Sequence, residues 1–440
     1  MPPVRPPLQG LAVPSGRLSR LAKFGGLASG IAGTMLADGA KQLSRGKRPT
    51  VGDLLMTPAN AIRVTEQLAQ LRGAAMKVGQ LLSMDAGEML PPELADILAR
   101  LRSDARHMPE VQLRAALNRR WGRGWEARFE TFDFTPMAAA SIGQVHRGRT
   151  IDGRDLAIKV QYPGVRDSID SDVDNIATLM RVSGVVPKTL DVTSILSEAK
   201  RQLHEEADYE REGRYLARFG ALLADEADFR VPEMHADLTR PTVLAMSHVA
   251  GVPIETLAEA SQEERDRIVT LLVQLLLREL FEFGLMQTDP NFANYLYDPD
   301  TRQIVLLDFG AARDLPPAIV EGYRRLLRAG MAADREAARQ AALDIGFFAA
   351  DADAGRQDEA MALFDLAMEP LRQPGPFDFS QTGLTTPLRE QGMALAEDRS
   401  FWHVPPIDTL FLQRKFGGVY LLASRLKARV DVRAMLEAYL

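Results

Sequence analysis

The sequence predicts an α+β protein with two lobes, a small one built on an antiparallel sheet and a larger helical one, preceded by a helical extension. Residues 128–161 contain short β-branched or aromatic runs separated by turn residues, a pattern typical of an antiparallel meander. Residues 51–107 and most of the chain beyond residue 250 show helical apolar spacing. With 440 residues and a hydrophobic content of 46%, the chain has enough apolar side chains for both cores.

This pattern divides the chain into four predicted segments. They are a basic arm over residues 1–50, a helical extension over 51–127, a sheet lobe with inserted helices over 128–250, and a helical lobe over 251–440. In the extension, Thr57-Pro58 provides a capping residue followed by Pro, which is a common start of a helix.

The arm differs in charge from the rest of the protein. It carries eight Arg or Lys and one acidic residue, a net charge of +7, whereas the whole chain has a net charge of −6. A basic arm is suited to an anionic membrane or lipid surface, and the alternative is a solvated tail. The remaining residues carry a net charge of −13, which argues against a nucleic-acid partner.

The sheet lobe is predicted from four strand-like runs, FETFDF, GQVHRG, DLAIKVQY and TVLAMSHV. Between the third and fourth runs, SILSEAKRQLHEEADYEREGRYLARFGALL reads as one long helix. Glu206 and Glu212 lie six positions apart on it, about 120° around the axis, and are therefore expected to face different partners. The alternative for this acidic cluster is a solvated helix face.

Composition excludes several functional classes. The chain has no cysteine, which removes disulfides and thiol nucleophiles and favours a reducing compartment. Its six histidines lack the spacing of a zinc site. The uncharged runs Phe24–Ala37 and Ile268–Leu277 are too short to span a bilayer, which takes about 20 apolar residues. We expect a cytoplasmic location in a bacterium, with the arm suited to peripheral contact at the inner face of the membrane.

The strongest chemical signal is a pair of motifs in the helical lobe. MQTDPNFANYLYD contains Asp289 and Asn294, and the apolar run QIVLLDF leads to Asp308 at the start of D-F-G. Carboxylate and amide oxygens are suitable Mg²⁺ ligands beside phosphate oxygens, so Asn294 and Asp308 are predicted to bind Mg²⁺. Asp289 is predicted to accept a hydroxyl proton or orient a water. The spacing is that of the base and metal ligands of protein kinases.

A kinase-like site also needs a lysine on an upstream strand. Lys159 lies in the apolar run LAIKVQY, where a partly buried ammonium requires an anion such as phosphate. The alternative is an edge-strand lysine whose ammonium reaches solvent. Lysine is sparse in this chain, with nine against 44 arginines and none between Lys200 and Lys415, so each retained lysine is a candidate for a special role.

Taken together, the motifs resemble those of the UbiB family of protein-kinase-like proteins, especially the mitochondrial coenzyme Q kinase-like subgroup and its bacterial relatives. The similar segments are KVGQ, AAASIGQVH, EADYERE, MQTDPNFANYLYD with LLDFGAAR, and LQRKFGGVYLLASRLKAR. They extend over about residues 50–440, and the combination is more specific than any single motif. The resemblance implies a bilobal protein-kinase-like fold.

The resemblance also implies roles for individual residues. Lys159, Glu212 and Asp289 would be the catalytic residues, with Lys159 paired to Glu212 and to the phosphates of ATP or ADP, and Mg²⁺ bound by Asn294 and Asp308. The extension would cover the cleft as a lid, with Lys77 near Glu206 and Asp208. The lid motif comprises Lys77, Gly79 and Gln80. The nucleotide-binding residues would be Ala138, Ala139, Ala140, Ser141, Gly143, Gln144, Val145, Lys159, Met246 and His248.

Departures from ordinary protein kinases narrow the expected activity. The His-Arg before the catalytic Asp is Gln287-Thr288, and RDLPPAIVEGYRRLL enters a helix soon after D-F-G, leaving little platform for a peptide. Ser247 replaces the hinge Glu that is frequent in the family, and Gly213 and Tyr215 stand where Ala and Asn are common. We therefore expect an atypical kinase-like ATPase that supports ubiquinone biosynthesis together with proteins of that pathway. The alternatives are a small-molecule or lipid phosphotransferase and a nucleotide-dependent scaffold.

Overall fold

A computed structural model describes residues 107–183, 193–348, 353–381 and 406–440. The predicted arm and the Lys77, Gly79 and Gln80 motif lie outside the described residues. The described part forms two compact units. The sheet unit contains residues 107–213 and Met234–His248, and the helical unit contains Arg214–Glu233 and the chain from Val249 onward.

The elements are named here in chain order. The helices are α1 (Glu110–Trp121), α2 (Val165–Ser183), α3 (Thr193–Glu206), α4 (Tyr209–Leu222), α5 (Gln262–Arg278), α6 (Pro317–Met331), α7 (Arg335–Asp344), α8 (Ala354–Arg372), α9 (Ile407–Leu426) and α10 (Val432–Glu437). The strands are β1 (Phe129–Phe132), β2 (Ala138–Ala139), β3 (Gly143–Thr150), β4 (Asp155–Gln161), β5 (Phe229–Arg230), β6 (Val243–Ser247), β7 (Val252–Pro253), β8 (Leu285–Gln287), β9 (Tyr295–Asp298), β10 (Gln303–Leu306), β11 (Ala312–Asp314), β12 (Phe377–Asp378) and β13 (Arg429–Val430). Short 3₁₀ turns occupy Trp125–Arg128, Ile254–Glu259 and Phe292–Asn294.

The sheet unit is built on an antiparallel sheet in the order β1-β3-β4-β6, with β2 paired to β3. All four strand-like runs in this part of the sequence form strands, as predicted. The turn between β3 and β4 contains Gly153 at φ +91°, a backbone conformation that glycine adopts without a steric penalty.

Strand β4 separates two environments because its side chains alternate in direction. Leu156, Ile158 and Val160 are buried in a core that also contains Leu113 and Leu117 of α1. Helix α1 therefore packs on the sheet, although its sequence lies in the segment assigned to the helical extension. The intervening Lys159 consequently points to the opposite face of the sheet.

The predicted long helix of residues 194–223 is interrupted. Helix α3 ends at Glu206 and α4 begins at Tyr209. Asp208 caps α4 because its Oδ1 accepts a hydrogen bond from Arg211 N at 3.0 Å. The carbonyl of the buried residue Ala207 accepts a bond from Gln161 Nε2 at 2.8 Å, so this backbone group at the interruption is satisfied by the sheet.

The helical unit contains a small sheet in the order β5-β10-β9-β7, an antiparallel pair of β8 with β11, and an antiparallel pair of β12 with β13. Helix α5 continues into a π-helical turn, Glu279–Phe283, which ends at Gly284 with φ +56°. The core of the helical unit joins α5, α6, α7 and α9 through residues such as Leu280, Leu326 and Leu412. The separate sheet-based and helix-rich units confirm the predicted α+β class.

A buried polar network joins β3 to the start of α1. Gln144 Oε1 accepts a bond from Met108 N at 2.8 Å, and Gln144 Nε2 lies 2.8 Å from His146 Nε2. His146 Nδ1 lies 2.8 Å from the carbonyl of Asp133. Because the carbonyl accepts and the amide donates, the network requires a neutral imidazole with its proton on Nδ1. Burial lowers the pKa of His146.

This network makes the stability of the sheet unit sensitive to acid. The unfolded imidazole binds a proton at about pH 6.5, whereas the folded one binds it only at lower pH, so the stabilisation from His146 is lost as pH falls below that value. We expect the free energy of unfolding of the wild type and of His146→Gln to converge between pH 7.5 and 5.5, by about 1.4 kcal/mol per unit of pKa difference.

Urea unfolding followed by tryptophan fluorescence measures this effect, since Trp121 and Trp125 lie in the sheet unit. His204→Gln, at an exposed position of the same unit, controls for loss of an imidazole. A difference between wild type and His146→Gln that stays constant with pH would contradict the neutral, buried state.

Candidate functional site

The sheet unit contains a buried ion pair between Lys159 of β4 and Glu212 of α4. Lys159 Nζ lies 2.9 Å from Glu212 Oε1 and 3.1 Å from Oε2. The two side chains are only 10% and 2% exposed, and the ammonium lies 5.1 Å from the centre of the Tyr209 ring. An ammonium at this depth requires a carboxylate partner, so the edge-strand alternative for Lys159 is wrong.

The Ala-rich segment forms an edge strand and a tight turn next to this pair. Ala138 and Ala139 are exposed in β2, and Ala140 N donates to Gly143 O at 2.9 Å. Ser141 Oγ is 3.3 Å from Glu206 Oε2. A side chain at Gly143 would overlap the carbonyl of Val160 and approach the Tyr209 hydroxyl, so this position requires glycine.

The next two residues of the segment differ in direction. The side chain of Gln144 is fully buried and bonded to Met108 N and His146. Any contact of Gln144 with a nucleotide would therefore use its backbone. Val145 pairs with Ala138 on one side and with Lys159 on the other, which places its half-buried side chain on the same face as Lys159.

The predicted hinge residues lie at the end of β6. Met246 is buried, and its strand partner on β4 is Ala157. The Ser247 hydroxyl is 3.3 Å from His235 Nε2. His248 N donates to the carbonyl of Asp155 at 2.8 Å, and burial lowers the pKa of the His248 imidazole. The backbone of this stretch is thus held by the first residues of β4, two to four positions before Lys159.

The acidic cluster does not follow the geometry of one continuous helix. Because the chain breaks at residues 207–208, Glu206 ends α3 and Glu212 lies in the first turn of α4. The predicted separation of 120° around one helix is therefore wrong, although the two carboxylates do face different partners, Ser141 and Lys159. The predicted contact of Lys77 with Glu206 or Asp208 lies outside the described residues.

The helical unit brings Asp289, Asn294 and Asp308 together. Asn294 Nδ2 lies 3.2 Å from Asp289 Oδ2 and 3.2 Å from its carbonyl oxygen. The backbone of Leu307 donates to Asn294 O at 3.0 Å, which brings Asn294 beside the residue that precedes Asp308. Asp308 Oδ1 accepts a bond from Gly310 N at 2.9 Å, and Phe309 packs on Phe219 with ring centres 4.8 Å apart.

Helix α9 brings two cations to this segment that were not predicted from the sequence as part of the site. Arg414 Nη2 lies 2.9 Å from Asp289 Oδ1. Lys415 Nζ lies 3.1 Å from Glu279 Oε2 and 3.1 Å from the Tyr295 hydroxyl, and both charged side chains are at least 98% buried. The scarcity of lysine pointed to Lys415, and the family-like segment LQRKFGGVYLLASRLKAR contains both cations. No pattern assigned a contact to either of them or pointed to Glu279.

A small cavity is lined both by the buried Lys415–Glu279 pair and by the predicted metal ligands. Glu279, Lys415, Gln287, Asn294 and Asp308 all contribute to its lining. Gln287 is 5% exposed, and neither side-chain polar atom has a hydrogen-bond partner among the described residues. A buried amide of this kind is normally satisfied by ordered water.

The pKa values of both Glu279 and Lys415 are shifted in the folded protein. Burial raises the pKa of Glu279. Burial alone lowers the pKa of Lys415, but the attraction of Glu279 and the bond to Tyr295 raise it overall. Lys415 is therefore charged, and it is the group that makes the ionised form of Glu279 tolerable in the core.

Removing the cation should destabilise the helical unit. Lys415→Met leaves Glu279 buried without its cation, at a cost of about 3–5 kcal/mol in the free energy of unfolding. The double variant Lys415→Met with Glu279→Gln should have a smaller decrease in the free energy of unfolding, because no unpaired charge remains buried. Lys415 lowers the pKa of Glu279 from the higher value that burial alone would give, so its loss should raise that pKa further, and the stability of the single variant should fall more than that of wild type as pH rises above the unfolded value near 4.3. The single variant should thus be nearer to wild type at pH 5 than at pH 8.

Urea unfolding of the two variants at both pH values provides the measurement. Lys427→Met, at an exposed position at the end of the same helix, is the matched control. Equal losses in the single and double variants would show that the ion pair does not stabilise the unit in this way.

Two features are absent from the residues that the structure describes. No helix there is long and apolar enough to cross a membrane. Within the same residues, no group of three or more His, Cys, Asp or Glu side chains is placed to hold a metal ion.

Comparison with known proteins identifies the family. Residues 100–342 match the model of the ABC1 atypical kinase-like domain. The chain is 36% identical over 425 residues to the mitochondrial atypical kinase COQ8 of Saccharomyces cerevisiae, covering 96% of this chain and 84% of that protein. It is 39% identical over 432 residues to the mitochondrial atypical kinase COQ8B of Danio rerio, covering 97% and 69% respectively.

A solved structure is also similar. The structure of the Rv3197–erythromycin complex from Mycobacterium tuberculosis aligns with a TM-score of 0.61 and 26% sequence identity, covering 87% of this chain and 96% of that one. The family model and the nearly full-length relatives agree with the motifs and with the α+β architecture. The chain therefore belongs to the ABC1 atypical kinase-like family, also called the UbiB family, and has its kinase-like fold.

Proposed function

We propose that this protein is an atypical kinase-like ATPase that binds ATP or ADP with Mg²⁺ and supports ubiquinone biosynthesis at a membrane. The observation that carries the proposal is the placement of Asp289, Asn294 and Asp308. Asn294 bonds to the Asp289 carboxylate and is tied through Leu307 to the strand that leads to Asp308. A base and two oxygen ligands in this order are the parts that phosphoryl transfer requires.

The side chains fit a magnesium ion. Asn294 donates to Asp289 through its nitrogen, which leaves its amide oxygen as a ligand. Asp308 is oriented by the bond from Gly310 N and supplies a charged oxygen. Mg²⁺ is commonly held by one or two carboxylates with phosphate oxygens and water completing the coordination. When bound, Mg²⁺ would neutralise the charge of the transferring phosphoryl group.

The sheet unit supplies the remaining nucleotide contacts in this proposal. Lys159, held by Glu212, binds phosphate oxygens, and the backbone of Ala138 to Val145 binds near them. The buried Lys159–Glu212 contact supports this role because kinases require a lysine paired in this manner. The backbone around Met246 and His248 binds the adenine ring of the nucleotide.

Asp289 acts on the acceptor. Its carboxylate accepts the proton of a hydroxyl group or orients a water. A protein acceptor is disfavoured because β11 follows D-F-G directly and α6 begins at Pro317, so the chain devotes few residues to a peptide platform. The role in ubiquinone biosynthesis rests on the family resemblance, and the associated proteins of that pathway are proposed partners.

Two alternatives use the same residues. A phosphotransferase would pass the phosphoryl group to a small molecule or lipid, whereas a nucleotide-dependent scaffold would bind without turnover. Phosphate release, measured with and without candidate acceptors and membranes, separates them. Complementation of a ubiquinone-deficient strain, with the quinone measured in lipid extracts, tests the biological role.

The lid is a further part of the proposal. Lys77, Gly79 and Gln80 would cover the nucleotide through contact of Lys77 with Glu206 or Asp208. Loss of Lys77 should then alter nucleotide turnover, and an unaffected Lys77→Ala variant would remove this element of the proposal.

Replacing the charged metal ligand tests the site directly. Asp308→Asn substitutes a neutral oxygen for a charged one and should abolish most of the increase in melting temperature that ATP with Mg²⁺ produces. Phosphate release should fall with it. Asp300→Asn, at an exposed turn between β9 and β10, is the control and should behave as wild type. Undiminished stabilisation of Asp308→Asn by ATP with Mg²⁺ would rule out the metal assignment.

The basic arm provides a separate test of membrane association. Deleting residues 1–50 removes a net charge of +7 and should lower binding to liposomes, most strongly with anionic lipid at low salt. Sedimentation of both proteins with anionic and with neutral liposomes gives the comparison. If the truncated protein binds anionic liposomes as well as the full chain, the solvated-tail alternative is correct.

A further inference from the structure

Helix α9 packs directly on the segment that contains Asp289. A side chain at Gly418 would overlap Pro290, so the helix backbone and the proline are in close contact. Lys415 anchors the same helix through Glu279 and Tyr295. These two contacts fix the position of α9 along the segment, and Arg414 lies four residues before Gly418 on the same helix face.

From this fixed position Arg414 contacts the carboxylate of Asp289. Its Nη2 is 2.9 Å from Oδ1, and its side chain is 17% exposed. The other oxygen, Oδ2, is 3.2 Å from Asn294 Nδ2. Each carboxylate oxygen therefore has one donor, and two donors on different oxygens fix the rotation of the carboxylate plane.

These contacts leave the Asp289 carboxylate able to accept further hydrogen bonds. An ionised carboxylate has about four acceptor sites, so each oxygen retains capacity for another donor, such as the hydroxyl of an acceptor or a water. The contact with Arg414 therefore orients the carboxylate without blocking it. A misplacement of about 1 Å at such a group can lower a rate about 100-fold.

The cation reaches Asp289 only through tertiary structure. Residues Asp289 to Asp298 contain no Lys or Arg, and Arg414 lies 125 residues further along the chain. We propose that Arg414 is a positioning residue for Asp289, which holds the carboxylate in the orientation needed for proton acceptance. This inference rests on the proposed function, because it assigns Arg414 to the same phosphoryl-transfer site.

The test is a set of variants assayed for Mg²⁺-dependent phosphate release from ATP. We expect Arg414→Gln to lower kcat about 10- to 100-fold while the KM for ATP and the affinity for ADP with Mg²⁺ change less than about twofold. Arg414→Lys should recover part of kcat because it retains a cation without the fork geometry of guanidinium. It also serves if the Gln variant does not fold.

Two controls separate positioning from other roles. Arg425→Gln removes an arginine from the same helix that pairs with Glu255 at the surface, and it should retain wild-type kcat. In an Asp289→Asn background, Arg414→Gln should cause little further loss, because the residue through which it acts is already altered.

The outcomes are distinguishable. Wild-type protein without Mg²⁺-dependent turnover would overturn the proposed function. Turnover that is present in the wild type and equal in Arg414→Gln would overturn the role of Arg414 alone. A loss of equal size in the wild-type and Asp289→Asn backgrounds, or a selective loss of ADP affinity, would show that Arg414 acts on the nucleotide and not through Asp289.

Discussion

The ion pair between Lys159 and Glu212 is the contact on which the sheet unit depends. Both groups are almost completely buried, and an unpaired charge at that depth would be strongly destabilising. The position of helix α4 relative to strand β4 is therefore fixed by this ion pair. The interruption before α4, its cap by Asp208 and the absence of a side chain at Gly143 all allow Glu212 and Tyr209 to approach the strand.

The helical unit contains a second buried ion pair of this kind. Lys415 and Glu279 are buried together, and their pairing holds α9 against the π-helical turn that follows α5. That contact has consequences for Asp289, since it fixes the helix that carries Arg414. In each unit, then, a buried lysine and glutamate pair joins elements that are distant in sequence and sets the geometry beside a predicted functional residue.

The segments with the predicted catalytic and metal-binding residues can be found in the sequence because the spacing of those residues is local. Asp289 and Asn294 are separated by one short turn, and Asp308 follows a single strand, so a fixed spacing in the sequence corresponds to a fixed geometry. The apolar run LAIKVQY likewise predicted that Lys159 would be partly buried and would need an anion. Helix α3 and helix α4 were harder to separate, because Ala207 and Asp208 do not disrupt helical periodicity and the break is stabilised by Gln161 from the sheet.

The sequence by itself determined the α+β class, four of the five strands of the sheet unit, the family resemblance and the segments that carry Lys159, Asp289, Asn294 and Asp308. The class, strands and segments follow from periodicity or short spacing, and the resemblance follows from the similarity of several motifs to those of the family. Tertiary structure alone decided that Arg414 contacts Asp289, that Lys415 pairs with Glu279, and that Gln144 is used in a buried network. The reason is physical: these contacts join residues from different elements, and which buried charges meet depends on how the chain packs, which short-range patterns do not encode.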